Sequence, residues 1–258
     1  MLDDHIYFQD ESVILYQGNN MDILPMLDPE SVDVVVTSPP YNTQMVGNDK
    51  IKPSGFRKEH AMAKNLEKMT SGYSDAIPEQ EYQDQQVAML NMLERVLVPH
   101  GSVFYNTKLR WRDKVLIHPL RYVDRCNLNI RMEIVWNRLV GLTLNARRFF
   151  DSDERVYWLF KGVDWRWNQS AVGLGSVWTI SPTPFKDHAC VFPEALVARC
   201  LNGVARVGDL VLDPYAGSGT VAVVARKFGC KTILIEQDPK YCAVIVDRLR
   251  QGALLLDS

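Results

Sequence analysis

Two short apolar runs, each followed by a loop that cannot continue a sheet, constrain the fold of this chain most strongly. Residues 32–36 read Val-Asp-Val-Val-Val and lead into Ser-Pro-Pro-Tyr, and residues 209–213 read Asp-Leu-Val-Leu-Asp and lead into a loop with Gly217 and Gly219. Runs of this kind are typical of buried parallel strands. Because helical patterns alternate with such strands, the sequence predicts an open α/β sheet with ligands at the carboxyl ends of its strands.

The hydrophobic periodicity predicts further elements around these two strands. Strands are expected at 5–8, 13–16, 102–107, 133–136, 155–160 and 231–235. Helices are expected at 21–27, from 79 to the break at 99–101, and at 111–126, 192–204, 221–228 and 241–250. The polar stretch 43–78 lacks a sustained period, which is typical of a mobile functional loop, and residues 162–187 read as loops or a small insertion.

The charge is distributed unevenly along a chain of ordinary globular composition. The 258 residues are 47% hydrophobic, which excludes a disordered or low-complexity protein. The net charge of −2 hides a basic middle, since residues 106–166 carry thirteen Lys or Arg against seven Asp or Glu, whereas residues 1–50 carry nine acidic residues and one lysine. The basic third is able to contact a polyanion, and solvated helix faces would explain it equally well.

Several features bear on where such a protein works. The uncharged stretch Pro214–Ala225 is too short and too Gly-rich to cross a bilayer. The acidic start Met-Leu-Asp-Asp-His is unlike a secretory signal, so we expect a cytoplasmic protein without a membrane partner. Five cysteines without a Cys-x-x-Cys pair indicate neither a disulfide framework nor a metal site.

The strand, loop and helix at 210–228 predict a ligand site. Gly217 and Gly219 let the backbone approach a ligand, and the loop opens into a helix whose free N–H groups point toward it. Glu236 ends the next strand, where an acid is placed to bind the hydroxyls of a ribose. No lysine follows the glycines, as a triphosphate loop requires, and the third glycine of a dinucleotide fingerprint is missing. The combination indicates a nucleoside-containing cofactor, whereas Gly-x-Gly alone would fit a structural turn.

The second informative loop is Thr37-Ser38-Pro39-Pro40-Tyr41-Asn42. At the mouth of a strand it offers a hydroxyl, a main-chain carbonyl and an aromatic face. That set is suited to hold a planar exocyclic amine by hydrogen bonds while the tyrosine stacks on the ring. A rigid turn with a packed tyrosine is the structural alternative for this loop on its own.

Together the two loops resemble a known family. The segments 37–42 and 213–220, the latter Asp-Pro-Tyr-Ala-Gly-Ser-Gly-Thr, resemble the catalytic and S-adenosylmethionine motifs of DNA amino-methyltransferases, in the order of the permuted β group. The resemblance implies one domain over 1–258 with a Rossmann-like, mostly parallel sheet and helices on both faces. Its parts would be a catalytic half (1–161), a small target-recognition insertion (about 162–187) and a cofactor-binding half (188–258).

The resemblance also implies site residues. The catalytic residues would be Ser38, Pro39, Pro40 and Tyr41. The S-adenosylmethionine site would comprise Asp213, Tyr215, Gly217, Ser218, Gly219, Thr220, Glu236, Gln237, Asp238, Phe192 and Pro193. Arg and Asn side chains read base edges and contact phosphate, and the candidates for DNA contact are Asn42, Arg138, Arg147, Arg148, Arg166 and Asn168.

The implied reaction is methyl transfer from S-adenosylmethionine to the exocyclic N4 of a cytosine flipped out of duplex DNA. Ser38 favours cytosine, because adenine-modifying relatives usually have Asp or Asn there. Adenine-N6 methylation is the alternative within the family, and a catalytically silent DNA-binding relative or transfer to an amide or RNA are the alternatives outside it. The expected setting is prokaryotic or phage DNA in the nucleoid, within restriction-modification or as an orphan enzyme. A second copy of the chain and a cognate restriction endonuclease are the further partners considered.

Overall fold

The computed structural model describes residues 1–42, 77–139, 149–185 and 188–254. The helices are α1 (Asn20–Ile23), α2 (Glu79–Val96), α3 (Leu120–Val123), α4 (Glu194–Val204), α5 (Thr220–Lys227) and α6 (Pro239–Leu254). The strands are β1 (Ile6–Gln9), β2 (Val13–Gln17), β3 (Val32–Thr37), β4 (Leu97–Thr107), β5 (Arg110–Arg112), β6 (Val115–Ile117), β7 (Asn129–Asn137), β8 (Asp153–Phe160), β9 (Val177–Thr179), β10 (Thr183–Phe185), β11 (His188–Val191), β12 (Leu210–Asp213) and β13 (Lys231–Glu236).

The main sheet has nine strands in the order β1-β2-β13-β12-β3-β4-β8-β7-β9. The central run β2-β13-β12-β3-β4 is parallel, and β7-β9 is a further parallel pair. Strand β3 leads to β4 on one side and β12 leads to β13 on the other, so the sheet changes direction between β3 and β12. A crevice forms at such a switch point, outside the carboxyl ends of the strands. The predicted Rossmann-like, mostly parallel architecture is therefore confirmed.

Helices cover both faces of the sheet because successive strand residues point to opposite sides. Val35 packs in a core with α2 residues such as Leu90, whereas Val34 and Val36 pack on the other face with α4 residues such as Leu196. Helices α5 and α6 complete that second face. In the parts of the chain that the structure describes, no helix is long and apolar enough to cross a membrane.

The predicted helix at 111–126 is wrong, because most of this segment is a small hairpin. Strands β5 and β6 pair antiparallel through a turn in which Asp113 and Lys114 both have positive φ, 49° and 65°. Two residues in that conformation match the twist of paired strands and close a tight hairpin. Only Leu120–Val123 is helical, directly after Pro119.

Other predicted boundaries differ more modestly. Helix α2 ends at Val96, and the chain is already extended at Leu97, before the predicted break at 99–101. Within 162–187, strand β9 pairs with β7 and extends the main sheet. Most of the predicted 43–78 loop, residues 43–76, lies outside the described residues.

Candidate active site

The two loops singled out in the sequence meet at the switch point of the sheet. Thr37, the last residue of β3, donates a hydrogen bond from its hydroxyl to Asp213, the last residue of β12, at 2.9 Å. Both side chains are buried. Burial raises the pKa of Asp213 to about 7, despite the hydrogen bonds that it accepts from Thr37 and the Tyr215 N–H. A single buried contact thus joins the two predicted half-sites.

The Ser-Pro-Pro-Tyr loop is held from outside by several hydrogen bonds. The Tyr82 hydroxyl of α2 donates to the Pro40 carbonyl at 2.9 Å. The buried Asn42 side chain exchanges two hydrogen bonds of 3.0 Å with the backbone N–H and carbonyl of Ile77, and Arg112 of β5 donates to the Asn42 carbonyl. Asn42 has a φ of 52°, a conformation that Asn tolerates better than most residues. Asn42, predicted to contact DNA, instead fastens the end of this loop.

A polar cluster beside the loop contains two residues that the sequence analysis did not assign. The Ser38 hydroxyl lies 2.6 Å from the Tyr41 hydroxyl, which donates to Glu154 of β8 at 3.0 Å. The Asn106 amide, at the end of β4, donates to Tyr41 at 2.6 Å and to Glu154 at 2.9 Å, and it lies 3.2 Å from Ser38. Arg138 pairs with the other Glu154 oxygen at 3.0 Å. The structure therefore assembles a connected network around Ser38.

Asn106 and Glu154 each carried a weak signal in the sequence. Asn106 is a polar residue near the end of an apolar strand, and Glu154 is an acid directly before the apolar run 155–160. The pairing of β4 with β8, which places Asn106 opposite Val156, brings them together. The Asn106 Oδ1 atom is buried and has no hydrogen-bond partner among the described residues. A buried acceptor of this kind requires explanation, and a bound donor provides one.

The glycine-rich loop after β12 has the predicted conformation. Gly217 and Gly219 have φ values of 52° and 75°, a region that favours glycine. A Cβ built on Gly217 would meet nothing closer than 3.9 Å, so the space beside this residue is open. Arg248 of α6 donates to the Ser218 carbonyl at 2.7 Å and to the Thr220 hydroxyl at 3.2 Å, which fixes the loop where it enters α5.

Glu236 lies at the end of β13, next to this loop. Its two carboxylate oxygens accept hydrogen bonds from the Gly217 N–H at 2.8 Å and the Asp238 N–H at 2.9 Å, and burial raises its pKa. Each oxygen keeps lone pairs beyond these bonds, so the carboxylate fits the predicted role of binding ribose hydroxyls. Gln237 is exposed beside it, and Asp238 accepts from the Lys240 N–H at the start of α6. These residues fit a nucleoside-containing cofactor.

Two predicted cofactor residues precede α4. Phe192 packs edge-on against Trp136 with the ring centroids 6.5 Å apart, and the buried Pro193 occupies the N-cap position of the helix. One residue that the sequence left in doubt also reaches the cofactor loop. The buried Asn20 side chain donates to the Pro214 carbonyl at 3.2 Å.

The structure does not bring all the predicted DNA contacts to this site. Arg166 pairs with Asp33 and Asp209, which lie at the opposite, amino ends of β3 and β12. Asn168 donates to the Asn202 and Ala205 carbonyls at the end of α4. These two side chains anchor the insertion to the body of the protein. Trp165 and Trp167 also pack against the buried Trp158, at centroid distances of 6.4 and 5.3 Å. Arg147 and Arg148 lie outside the described residues.

Comparison with known proteins gives concordant results. The model of the N6/N4 methyltransferase family, described as DNA methylase, matches residues 32–247. The type II methyltransferase M2.LlaDCHI of Lactococcus lactis subsp. cremoris is 24% identical over 263 residues, which cover 96% of this chain and 93% of the relative. The type II methyltransferase M.Cfr9I of Citrobacter freundii is 26% identical over 282 residues, which cover 92% and 87%.

Two solved structures share the fold. The PvuII DNA methyltransferase (cytosine-N4-specific) has a TM-score of 0.74 at 20% identity, covering 94% of this chain and 88% of that one. The M1.HpyAVI-SAM complex has a TM-score of 0.60 at 16% identity, covering 92% and 98%. At these identities the likeness shows the architecture alone.

Proposed function

Because the chain belongs to the N6/N4 DNA methylase family, whose members use S-adenosylmethionine, we propose that it methylates the exocyclic N4 of cytosine in DNA. The observation that carries this proposal is the hydrogen bond between Thr37 and Asp213. It places the loop with the predicted amine-binding residues against the loop with the predicted cofactor-binding residues. A transfer enzyme needs this adjacency, because the acceptor nitrogen must lie close to the methyl group and in line with it.

The residues around Ser38 are suited to bind an amino group. An exocyclic amine is a weak nucleophile because its lone pair is delocalised into the ring. Hydrogen bonds from its N–H groups to the Ser38 hydroxyl and the Pro39 carbonyl would favour a pyramidal nitrogen with a localised lone pair. When bound, S-adenosylmethionine supplies an electrophilic methyl group on its sulfonium. The unpartnered Asn106 Oδ1 adds a further acceptor beside Ser38, so acceleration comes from positioning and electrostatics.

The choice of cytosine rests on Ser38. Within the family, the Ser-Pro-Pro-Tyr form resembles the cytosine-N4 enzymes more than the adenine-N6 enzymes, and the PvuII enzyme that shares the fold is named as cytosine-N4-specific. The target base would be flipped from the duplex and stacked on the Tyr41 ring. Arg138 and Lys108, which flank Glu154, are the described basic residues nearest to Ser38 that could meet the phosphates. The recognition role of 162–187, the division into two halves, a cytoplasmic location, a homodimer and a cognate endonuclease stay predictions.

The decisive experiment identifies the methylated base. The purified protein is incubated with S-adenosylmethionine and unmethylated bacterial DNA, and the digested nucleosides are analysed by mass spectrometry. We expect N4-methylcytosine. N6-methyladenine without N4-methylcytosine would refute the choice of base, and methylation of RNA or protein in parallel reactions, with none of DNA, would refute the substrate class.

A variant tests the role of Ser38. Ser38→Ala removes the hydroxyl that is proposed to bind the amine, and we expect transfer to fall at least a hundredfold, as when one such donor or acceptor is removed from a preorganised site. S-adenosylmethionine affinity, measured by calorimetry, should stay within about twofold, because Ser38 has no bond to the glycine-rich loop in the described residues. Ser31→Ala, an exposed serine before β3, is the matched control and should retain full activity.

A further inference from the structure

Glu154 is a buried carboxylate that the methyl transfer, as proposed so far, leaves unused. Only 4% of its surface is exposed, although it lies in a cluster whose other members reach the catalytic loop. Its Oε2 atom accepts hydrogen bonds from Tyr41 and Asn106, and its Oε1 atom lies 3.0 Å from Arg138 and 4.0 Å from Lys108. A carboxylate is costly to bury, even when it is paired. Its position next to the proposed amine-binding residue calls for a chemical reason.

The hydrogen bonds of the cluster run in one direction. A phenol has a single hydrogen, and that of Tyr41 is donated to Glu154 at 3.0 Å. The hydroxyl of Ser38, 2.6 Å from the Tyr41 oxygen, must therefore be the donor in that contact. The Asn106 amide takes the remaining lone pair of the Tyr41 oxygen at 2.6 Å. Ser38 keeps its own lone pairs for an incoming N–H, so a continuous path leads from the amine site through Ser38 and Tyr41 to Glu154.

We propose that Ser38, Tyr41 and Glu154 form a proton relay that takes the proton released by the target amine, with Glu154 as its terminal acceptor. The proposal rests on the proposed methyl transfer and deepens it. Asn106 positions the relay, because it contacts all three members. Arg138 and Lys108 balance the charge of the carboxylate, and the Lys108 side chain is 26% exposed, so the cluster borders on solvent.

The proton and electron balance of the step is complete without another reactant. The amine lone pair forms the new N–C bond, and the C–S bond of the methyl donor breaks with its electron pair remaining on sulfur. The nitrogen, now positively charged, loses one proton to Ser38 while Ser38 passes its own proton to Tyr41 and Tyr41 passes its proton to Glu154. The carboxyl group later releases the proton to solvent. A relay is useful here because a flipped base in a closed site is shielded from water.

The test compares two isosteric variants in single-turnover reactions, with enzyme in excess over DNA so that product release does not limit the rate. Glu154→Gln removes the terminal acceptor, and Tyr41→Phe removes the connecting hydroxyl while it preserves the ring. We expect each to slow methyl transfer about a hundredfold, within the range for positioned proton transfer, with the KM for DNA and the affinity for S-adenosylmethionine nearly unchanged. The double variant should be no slower than either single one, because all three interrupt the same path.

The matched control is Glu133→Gln, which removes the charge of a glutamate on the neighbouring strand β7 that pairs with Arg155 at 3.0 Å, outside the relay. It should transfer methyl groups at the wild-type rate. A Glu154→Gln variant that is folded and equally fast would overturn the relay, as would slowing that multiplies in the double variant or a loss confined to KM. Absence of transfer to DNA by the wild-type protein would instead contradict the proposed function, so the two failures are distinguishable.

Discussion

The buried Asp213 makes the stability of the ligand-free protein depend on pH in a direction opposite to that of most carboxylates. Burial raises its pKa from 3.8 to about 7. The folded state therefore holds a proton that the unfolded chain loses near pH 4, and stability falls as the pH rises from about 4 through about 7. Each tenfold change in proton affinity is worth about 1.4 kcal/mol, which gives about 4 kcal/mol in total and about 2–3 kcal/mol between pH 5 and pH 8.

Asp213→Asn isolates this contribution. Both hydrogen bonds of the side chain are accepted by Oδ1, from the Thr37 hydroxyl and the Tyr215 N–H, so an asparagine with its oxygen in that place keeps both. We expect the variant to gain about 2–3 kcal/mol relative to the wild type between pH 5 and pH 8. For a chain of this size that difference corresponds to about 5–10 °C in melting temperature.

The assay is urea unfolding of both proteins without ligand, followed by circular dichroism at pH 5, 6, 7 and 8. Glu236 also has a pKa raised by burial and contributes to the pH dependence of both proteins, so the informative quantity is the difference between them. A difference that stays constant from pH 5 to pH 8 would show that Asp213 ionises normally in the folded protein. The reasoning from burial would then be refuted.

Two further substitutions test the assignment of individual residues. Gly219→Ala places a Cβ 3.0 Å from the Ile245 side chain at a φ of 75°, so urea unfolding should show a loss of about 1–3 kcal/mol, with weaker S-adenosylmethionine binding; unchanged values would contradict the tight loop. Arg166→Ala leaves Asp33 and Asp209 without their shared partner and should cost about 2–3 kcal/mol of stability. DNA affinity, measured by fluorescence anisotropy, should not change, and a selective fall in it would restore Arg166 as a DNA contact.

The central sheet could be predicted from the sequence because its strands and loops carry local signals. Runs such as 32–36 are buried on both faces and read as continuous apolar segments. The hairpin at 110–117 could not be predicted in this way. Its turn uses Asp113 and Lys114 at positive φ without a glycine, and Arg110 is buried against Glu79. Tertiary pairing, which the local pattern does not contain, decides its structure.

The same distinction separates the parts of the candidate site. Ser38, Tyr41 and Gly217 lie in contiguous motifs, so their proximity follows once the two strands are neighbours. Asn106 and Glu154 belong to no such motif and reach Ser38 only through the antiparallel pairing of β4 with β8. Charge patterns were the least specific guide. A guanidinium in a basic stretch serves DNA or a carboxylate equally well until its partners are known.

The paired hydrogen bonds between Asn42 and Ile77 have a consequence for how such a scaffold can be altered. They bring together the two ends of everything inserted between positions 42 and 77, next to the Ser-Pro-Pro-Tyr loop. Once the ends of a loop are fixed side by side, added length costs little, about 0.6 kcal/mol for each doubling. The position is therefore a natural exchange point, where segments of different length and sequence can be grafted while the closure itself is retained.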